Sequence, residues 1–355
     1  MGATATASAD DLKRAAREAG LRYMLDDVPG NTRKRRGNGW SYYDLVGRLI
    51  RDAAERDRLN ALAIPPAWTD VWISPRPDSH LLATGRDSEG RKQYRYHPDW
   101  RAIRDESKYG RMIQFARALT RIRNQVEEHL SGGGLSREKV LATVVRLLEL
   151  SLIRVGNEEY ARSNRSYGLT TMRDRHVEVD GTRIRFEFRG KGGKRHSVDV
   201  RDRRLARIVR QCRDVPGYEL FQYYDEEGQK CAVGSGEVNE YLREIAGEEF
   251  TAKDFRTWAG TLHASAALLE CEPCSDEREG RSRINESVAI VAERLGNTVA
   301  ICKSCYIHPV IFERYLDGTL AGLLNGGSAG RAVGRAEFAG LSDEERALLA
   351  LLEPA

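Results

Sequence analysis

Apolar residues recur at helical spacing in two long stretches, 111–130 and 136–153. In the second, Val140, Val144, Leu147, Leu148 and Ile153 fall on one face. Ser131-Gly132-Gly133-Gly134 joins them as a loop and lacks the lysine and hydroxyl residue of a phosphate-binding P-loop. The period then changes from 3.6 to two. Val177 and Val179 alternate, Asp180-Gly181 marks a tight turn, and Ile184, Phe186 and Phe188 alternate again. After Gly190-Lys191-Gly192-Gly193-Lys194 the chain returns through His196, Val198 and Val200. The pattern predicts a three-stranded antiparallel β-meander with Lys191 on an exposed hairpin tip. Helical patterning resumes over 202–213, 235–246, 253–269 and 285–294.

The first hundred residues read differently. A polar, alanine-rich stretch predicts one loose helix from Ser8 to Leu25, ending before Pro29-Gly30. Arg33-Lys34-Arg35-Arg36, set between Gly30 and Gly37, reads as a flexible basic arm. Tyr43, Val46, Leu49, Ile50 and Leu62 have helical spacing, so a helix is expected over 41–62, stopped by Pro65-Pro66. Short apolar or alternating runs bounded by Pro75, Pro77, Gly85 and Gly90 predict small antiparallel strands over 68–97. The fold class is therefore α+β. A small N-terminal α+β lobe (1–109) precedes a mainly α-helical domain with a small antiparallel β-meander (110–320). Residues 321–355 read as a Gly/Ala-rich flexible linker, spanning 321–341, and a short C-terminal helix with a capping box at Ser342-Asp343-Glu344-Glu345.

Composition narrows the class of partner. Of 355 residues, 41% are apolar and 31% charged, and the net charge is only +4, but the charge is unevenly placed. Between Arg154 and Arg213 there are 17 Lys/Arg against 8 Asp/Glu, and between Arg76 and Arg123 there are 12 against 6. Nearly all of the excess is arginine, which binds phosphate bidentately and points to nucleic acid. No run of 18 apolar residues and no signal-peptide core occur, so a soluble, cytoplasmic protein without membrane contact is expected. Two CxxC pairs, Cys271/Cys274 and Cys302/Cys305, could in principle bind zinc. Their separation and the absence of knuckle glycines favour four unligated thiols and no metal.

Five residues carry candidate chemistry: Arg154 in IRVGNEEY, Lys191 in FRGKGGKRHSV, Arg256 in AKDFRTW, Asn297 in LGNT and Tyr306 in KSCYIHP. Singly, each has an ordinary structural reading. Arg154 can complement a helix dipole, Lys191 can be a solvated turn residue, Arg256 can be an ion-pair partner, Asn297 can cap a helix and Tyr306 can pack. Together they suit phosphoryl transfer to a tyrosine: two guanidiniums clamp a phosphate, an amide adds a hydrogen bond, a lysine protonates the leaving oxygen and the phenol attacks.

In that order and spacing, residues 40–320 resemble the type IB DNA topoisomerases, specifically the small poxviral and bacterial branch, which is related to the tyrosine recombinases. The resemblance implies that Arg154 and Arg256 are the catalytic arginines, Lys191 the general acid and Tyr306 the nucleophile. Lys253, three residues before Arg256, matches a family position near the cleaved phosphate. Asn297 stands where poxviral members have histidine, so one positive charge is missing from the clamp. The implied activity is ATP- and metal-independent relaxation of duplex DNA through a 3′-phosphotyrosyl intermediate. It implies a monomer without cofactor, associated with the nucleoid, whose N-terminal lobe closes a clamp around the duplex. Arg33, Lys34, Arg35, Arg36 and Lys194 are expected to add phosphate contacts. A site-specific tyrosine recombinase is the alternative, disfavoured because KDFR replaces the HxxR usual there. A non-catalytic DNA-binding protein is the other, supported only by Asn297.

Overall fold

The computed structural model describes residues 9–37, 39–88, 90–271, 274, 276–326 and 339–353. By packing, the chain divides into two compact units, one of residues 3–110 and one formed chiefly by 111–355.

The N-terminal unit opens with α1 (Ala9–Glu18). The start expected for this helix, at Ser8, lies outside the described residues. A hairpin of β1 (Thr32–Arg36) and β2 (Gly39–Tyr43) follows, then α2 (Ala53–Ala61) and an antiparallel sheet of β3 (Thr69–Ile73), β4 (Leu81–Arg86) and β5 (Lys92–Tyr96) in that order. Tyr42, Leu59, Ile64, Val71, Ile73 and Ala83 form its core.

Three expectations fail here. Helix α1 stops at Glu18 and does not reach Leu25. The helix over 41–62 is a strand and a turn before it is a helix. Asp44 accepts hydrogen bonds from the Val46 and Arg48 amides at 3.0 and 2.8 Å, and Gly47 has φ +79°. This turn breaks the chain where the apolar spacing suggested continuity, and Val46 is left 71% exposed. The helix starts only where Asp52 caps it, accepting from Glu55 N at 2.8 Å. The basic arm is likewise β1, paired in register with β2 from Thr32↔Tyr43 to Arg36↔Gly39. Arg33 packs over Trp40 while Lys34, Arg35 and Arg36 are exposed, so the strand shows no apolar/polar alternation by which it could be read.

The boundary between the units falls within α3 (Pro98–Ser131), longer than the helix expected from 111. Ser136 caps α4 (Arg137–Ser151), whose Val140, Leu141, Val144, Leu147 and Leu148 are buried as the periodicity requires. The meander is present as β6 (Val177–Asp180), β7 (Arg183–Arg189) and β8 (Arg195–Arg201), with a turn at Lys191–Gly193. Short elements without a sequence signal also occur: α5 (Glu158–Asn164) and the hairpin β9 (Gln222–Tyr224)/β10 (Lys230–Ala232). The remaining helices are α6 (Arg203–Asp214), α7 (Ser235–Ala246), α8 (Ala252–Leu269), α9 (Glu277–Leu295), α10 (Val299–Cys305), α11 (Pro309–Leu316), α12 (Leu320–Gly326) and α13 (Asp343–Leu352). α9 begins eight residues earlier than its periodicity indicated because Asp276 caps it. Part of the expected linker is α12; residues 327–338 lie outside the described residues. Helix α13 is docked: Leu348 and Leu349 are buried, and Glu345 pairs with Arg123 at 2.8 Å while accepting from Trp258 Nε1 at 3.1 Å. Among the described residues, no helix is long and apolar enough to cross a membrane.

Candidate active site

Three helix ends meet at the site. Helix α4 stops in Leu152, which adopts the left-handed conformation (φ +55°), a strained geometry for a branched residue that turns its carbonyl inward. Arg154 therefore lies beyond the helix in an extended segment, and not in its last turn as the dipole reading required. Leu169 N and Thr170 N bond the carbonyls of Arg154 and Val155 at 2.9 and 2.7 Å and pin this segment. Helix α9 ends in Gly296 (φ +59°), and Thr298 caps α10 by accepting from Ile301 N. Asn297 is thus the single residue between a helix stop and a helix start, and its amide bonds Ala292 O at 2.9 Å. Helix α10 ends at Cys305, and Tyr306 is its C-cap.

Arg256, on α8, is 4% exposed. Its guanidinium donates to Leu152 O and, at 2.7 Å, to Leu295 O. Both carbonyls belong to helix C-termini, whose partial negative charge takes the place of a carboxylate. Its Cζ lies 5.1 Å from the centroid of the Tyr306 ring. Arg154 donates to Asn297 Oδ1 and to Gly296 O. Among the described residues neither guanidinium has an acidic partner. Burial and then the neighbouring Arg256 charge lower the Arg154 pKa to about 10, and burial lowers that of Arg256 as well. Two cations are held together, short of anions. Unspent donors remain: Asn297 Nδ2 and Arg256 Nε are buried without a partner. Arg123 shows the ordinary alternative: burial lowers the pKa of this half-buried arginine, and Glu345 and Glu149 more than restore it.

Tyr306 is half-buried and rests on α8. Gly260, one turn beyond Arg256, lets the Tyr306 backbone approach so closely that a Cβ there would fall 2.6 Å from its carbonyl oxygen. The Thr261 hydroxyl donates to the same oxygen at 3.4 Å and accepts from His308 N at 3.1 Å. Cys302, one turn earlier on α10, is buried, and its thiol is pushed up to about 11 by that burial.

The structure therefore brings Arg154, Arg256, Asn297 and Tyr306 together. Lys191 is exposed on the β7–β8 turn, where Gly192 and Gly193 have φ +73° and +75°, and its amine has no partner among the described residues. Lys253 is exposed in the first turn of α8. Lys194, expected at a phosphate, is exposed and donates to the Asn297 carbonyl at 3.1 Å. Arg33 is also spent internally: it donates to the Ile64 and Pro65 carbonyls at 2.8 and 2.6 Å and stacks 3.9 Å over Trp40. Lys34, Arg35 and Arg36 are exposed on β1. Sequence reasoning missed Gly260 and His196. The latter lines the small cleft with Arg154, Arg256 and Gly190, and its only sequence signal was a position in the alternating β8. All six cysteines are free thiols, and no group of three or more His, Cys, Asp or Glu that could hold a metal occurs among the described residues.

The chain that carries this arginine–tyrosine cluster matches known families over most of its length. Residues 97–319 match the family model described as eukaryotic DNA topoisomerase I, catalytic core, and residues 39–87 match that of the bacterial DNA topoisomerase IB N-terminal domain. The chain belongs to the type IB DNA topoisomerases. The DNA topoisomerase 1B of Acanthamoeba polyphaga mimivirus is 31% identical over 296 residues, covering 81% of this chain and 88% of that protein. The DNA topoisomerase 1B of vaccinia virus (strain Copenhagen) is 23% identical over 265 residues, covering 73% and 81%. Within the topoisomerase core match fall all five candidate residues, from Arg154 to Tyr306.

Proposed function

We propose that this type IB topoisomerase relaxes supercoiled duplex DNA with Tyr306 as nucleophile and the Arg154/Arg256/Asn297 cluster as its phosphate clamp. The observation that carries the reading is a buried and a half-buried guanidinium, both lacking carboxylates, beside a tyrosine, with an amide donor still unspent. A scissile phosphate supplies the missing negative charge, and its non-bridging oxygens take the free donors.

The phenolic oxygen of Tyr306 attacks phosphorus in line, forming a 3′-phosphotyrosine as the bond to the 5′-oxygen breaks. The phenol proton passes to solvent, and Lys191 gives its proton to the departing oxygen. Charge builds on the non-bridging oxygens, where the arginines and Asn297 Nδ2 meet it without rearranging. One phosphodiester is exchanged for another, so the link stores what religation needs and no nucleotide hydrolysis is coupled. After the free strand has rotated, the 5′-hydroxyl reverses the attack. Lys253, Lys34, Arg35 and Arg36, all exposed, add phosphate contacts and no sequence reading.

The direct test is relaxation of positively and negatively supercoiled plasmid in EDTA without ATP. Relaxation of both signs supports the reading. Covalent capture at one DNA sequence without relaxation would make the chain a site-specific recombinase, and binding with neither would make it a non-catalytic DNA-binding protein.

A further inference from the structure

The β7–β8 turn that carries Lys191 contains Gly190, Gly192 and Gly193. The latter two have positive φ, which accounts for their being glycine. Gly190 does not: its φ of −97° and ψ of −167° are open to any residue. What excludes a side chain there is the imidazole of His196, since a Cβ on Gly190 would lie 2.6 Å from its Cδ2 and Nε2. The other edge of the same ring meets Gly296, where a Cβ would fall 2.1 Å from Cε1. One face stacks on Phe188 at 5.0 Å and 10°. The ring is thus wedged between the base of the lysine turn and the end of α9, immediately before Asn297. Its Nε2 lies against Gly190 and is buried without a partner. Lys194 makes a second tie across the same gap, to the Asn297 carbonyl at 3.1 Å.

We propose that His196 is a positioning residue for Lys191, locking the glycine-rich turn against the Gly296–Asn297 corner so that the lysine is held over the leaving 5′-oxygen. The two sides of the wedge are unequal in stiffness. The corner is fixed by a helix end, a helix cap and the Asn297 amide bond to Ala292. The turn is exposed at Lys191, Gly192 and Lys194, and its backbone is closed by Gly190 N to Lys194 O at 2.7 Å and Gly193 N to Gly190 O at 3.0 Å. Removing the ring therefore loosens the turn, and with it the acid, more than it disturbs the clamp. Burial and the surrounding Arg154, Arg256 and Lys194 charges keep the imidazole below its ordinary pKa, neutral and compatible with this cationic corner.

The inference rests on the proposed roles of Lys191 and Tyr306, and the test separates the two levels. Single-turnover covalent capture is measured on two duplexes, one normal and one with sulfur replacing the scissile 5′-bridging oxygen, whose thiolate leaves without a proton. Lys191→Ala is the reference. His196→Ala should slow capture of the oxygen substrate by roughly 10–100-fold and capture of the sulfur substrate little, with duplex affinity retained. Gly190→Ala, which displaces the ring from the other side, should give the same ratio and guards against a His196→Ala variant that does not fold. Equal slowing of both substrates, or of neither, in the folded variants overturns the inference. Absence of capture by the unaltered protein, or no sulfur rescue of Lys191→Ala, overturns instead the site reading on which it stands.

Discussion

Gly260→Ala isolates the positioning of Tyr306 from every chemical group in the site. Alanine is the better helix former in the middle of α8, by about 1 kcal/mol, so propensity alone predicts a more stable protein. Against this, the new methyl would sit 2.6 Å from the Tyr306 carbonyl oxygen and 3.2 Å from its Cβ. Ordinary contact begins near 3.4 Å, so the tyrosine backbone must withdraw by about 0.8 Å. Retreat is the easier response, because α8 is fixed through the two Arg256 bonds to helix ends while Tyr306 terminates a seven-residue helix. A shift approaching 1 Å in a reacting group costs on the order of 100-fold when the attack must be in line.

Single-turnover formation of the covalent adduct should accordingly fall by roughly 10–100-fold, or about 1.4–2.8 kcal/mol in the barrier. Duplex affinity, set by phosphate contacts elsewhere, should change less than about twofold. Thermal melting should stay within a few degrees of the parent, the propensity gain offsetting part of the clash. Adduct formation within twofold of the parent, at unchanged melting temperature, would refute the claim that α8 sets the nucleophile's position.

Tyr306→Phe should give no covalent adduct and no plasmid relaxation yet bind duplex as the parent does, which gel electrophoresis under denaturing and native conditions reads side by side. Arg154→Gln should cut adduct formation by at least roughly 100-fold while leaving thermal melting unchanged or higher, because it removes one of two like charges. Replacing Lys34, Arg35 and Arg36 together by alanine should flatten the dependence of log affinity on log salt by up to about three units, near one per lost phosphate contact, measured by fluorescence anisotropy. Glu345→Gln should cost about 3 kcal/mol at pH 7 in chemical denaturation. In the parent, burial favours the neutral acid, but the hydrogen bond and charge of Arg123 outweigh it and hold the Glu345 carboxyl below its usual range. That stabilisation is present above the unfolded pKa and lost as pH falls through the folded one, so the gap between parent and variant should close below about pH 4.

Four of the five candidate residues, Arg154, Arg256, Asn297 and Tyr306, lie together in the fold. Arg154, Lys191, Arg256, Asn297 and Tyr306 are widely separated, but phosphoryl transfer to tyrosine restricts the residue types so strongly that their order alone is informative. The β-meander was legible because strict alternation and an Asp180-Gly181 turn leave one pairing, and that pairing occurs from Val177↔Phe186 to Asp180↔Arg183. Where local hydrogen bonding overrode periodicity, the reading failed. Asp44 turned an apparent helix, and Asp276 started one early. Arg33 and Lys194 read as free cations because charge is visible in a sequence and backbone carbonyl partners are not. Gly190 and Gly260 were opaque for the same reason: a glycine required by a neighbour's ring or carbonyl looks like any other glycine.

The proposed phosphate clamp is costly to fold, and under that proposal the cost has a use. Burial and the neighbouring Arg256 charge hold the Arg154 pKa down at about 10, so the fold disfavours its charged form. A chain selected only for stability would place a glutamate there, as it does around Arg123. Instead the guanidiniums lean on helix C-terminal carbonyls, which are partners weak enough to leave the cations electrostatically unsatisfied. A carboxylate would occupy the donors a phosphate needs, and its removal would have to accompany each turnover. Dipoles that cannot leave, at the ends of α4 and α9, orient the arginines without competing for them. In the proposed reaction the positive potential that strains the fold is relieved by the scissile phosphodiester. It is relieved most when that phosphate carries the additional charge of the transition state, so the folding cost reappears as selective stabilisation of the reacting geometry.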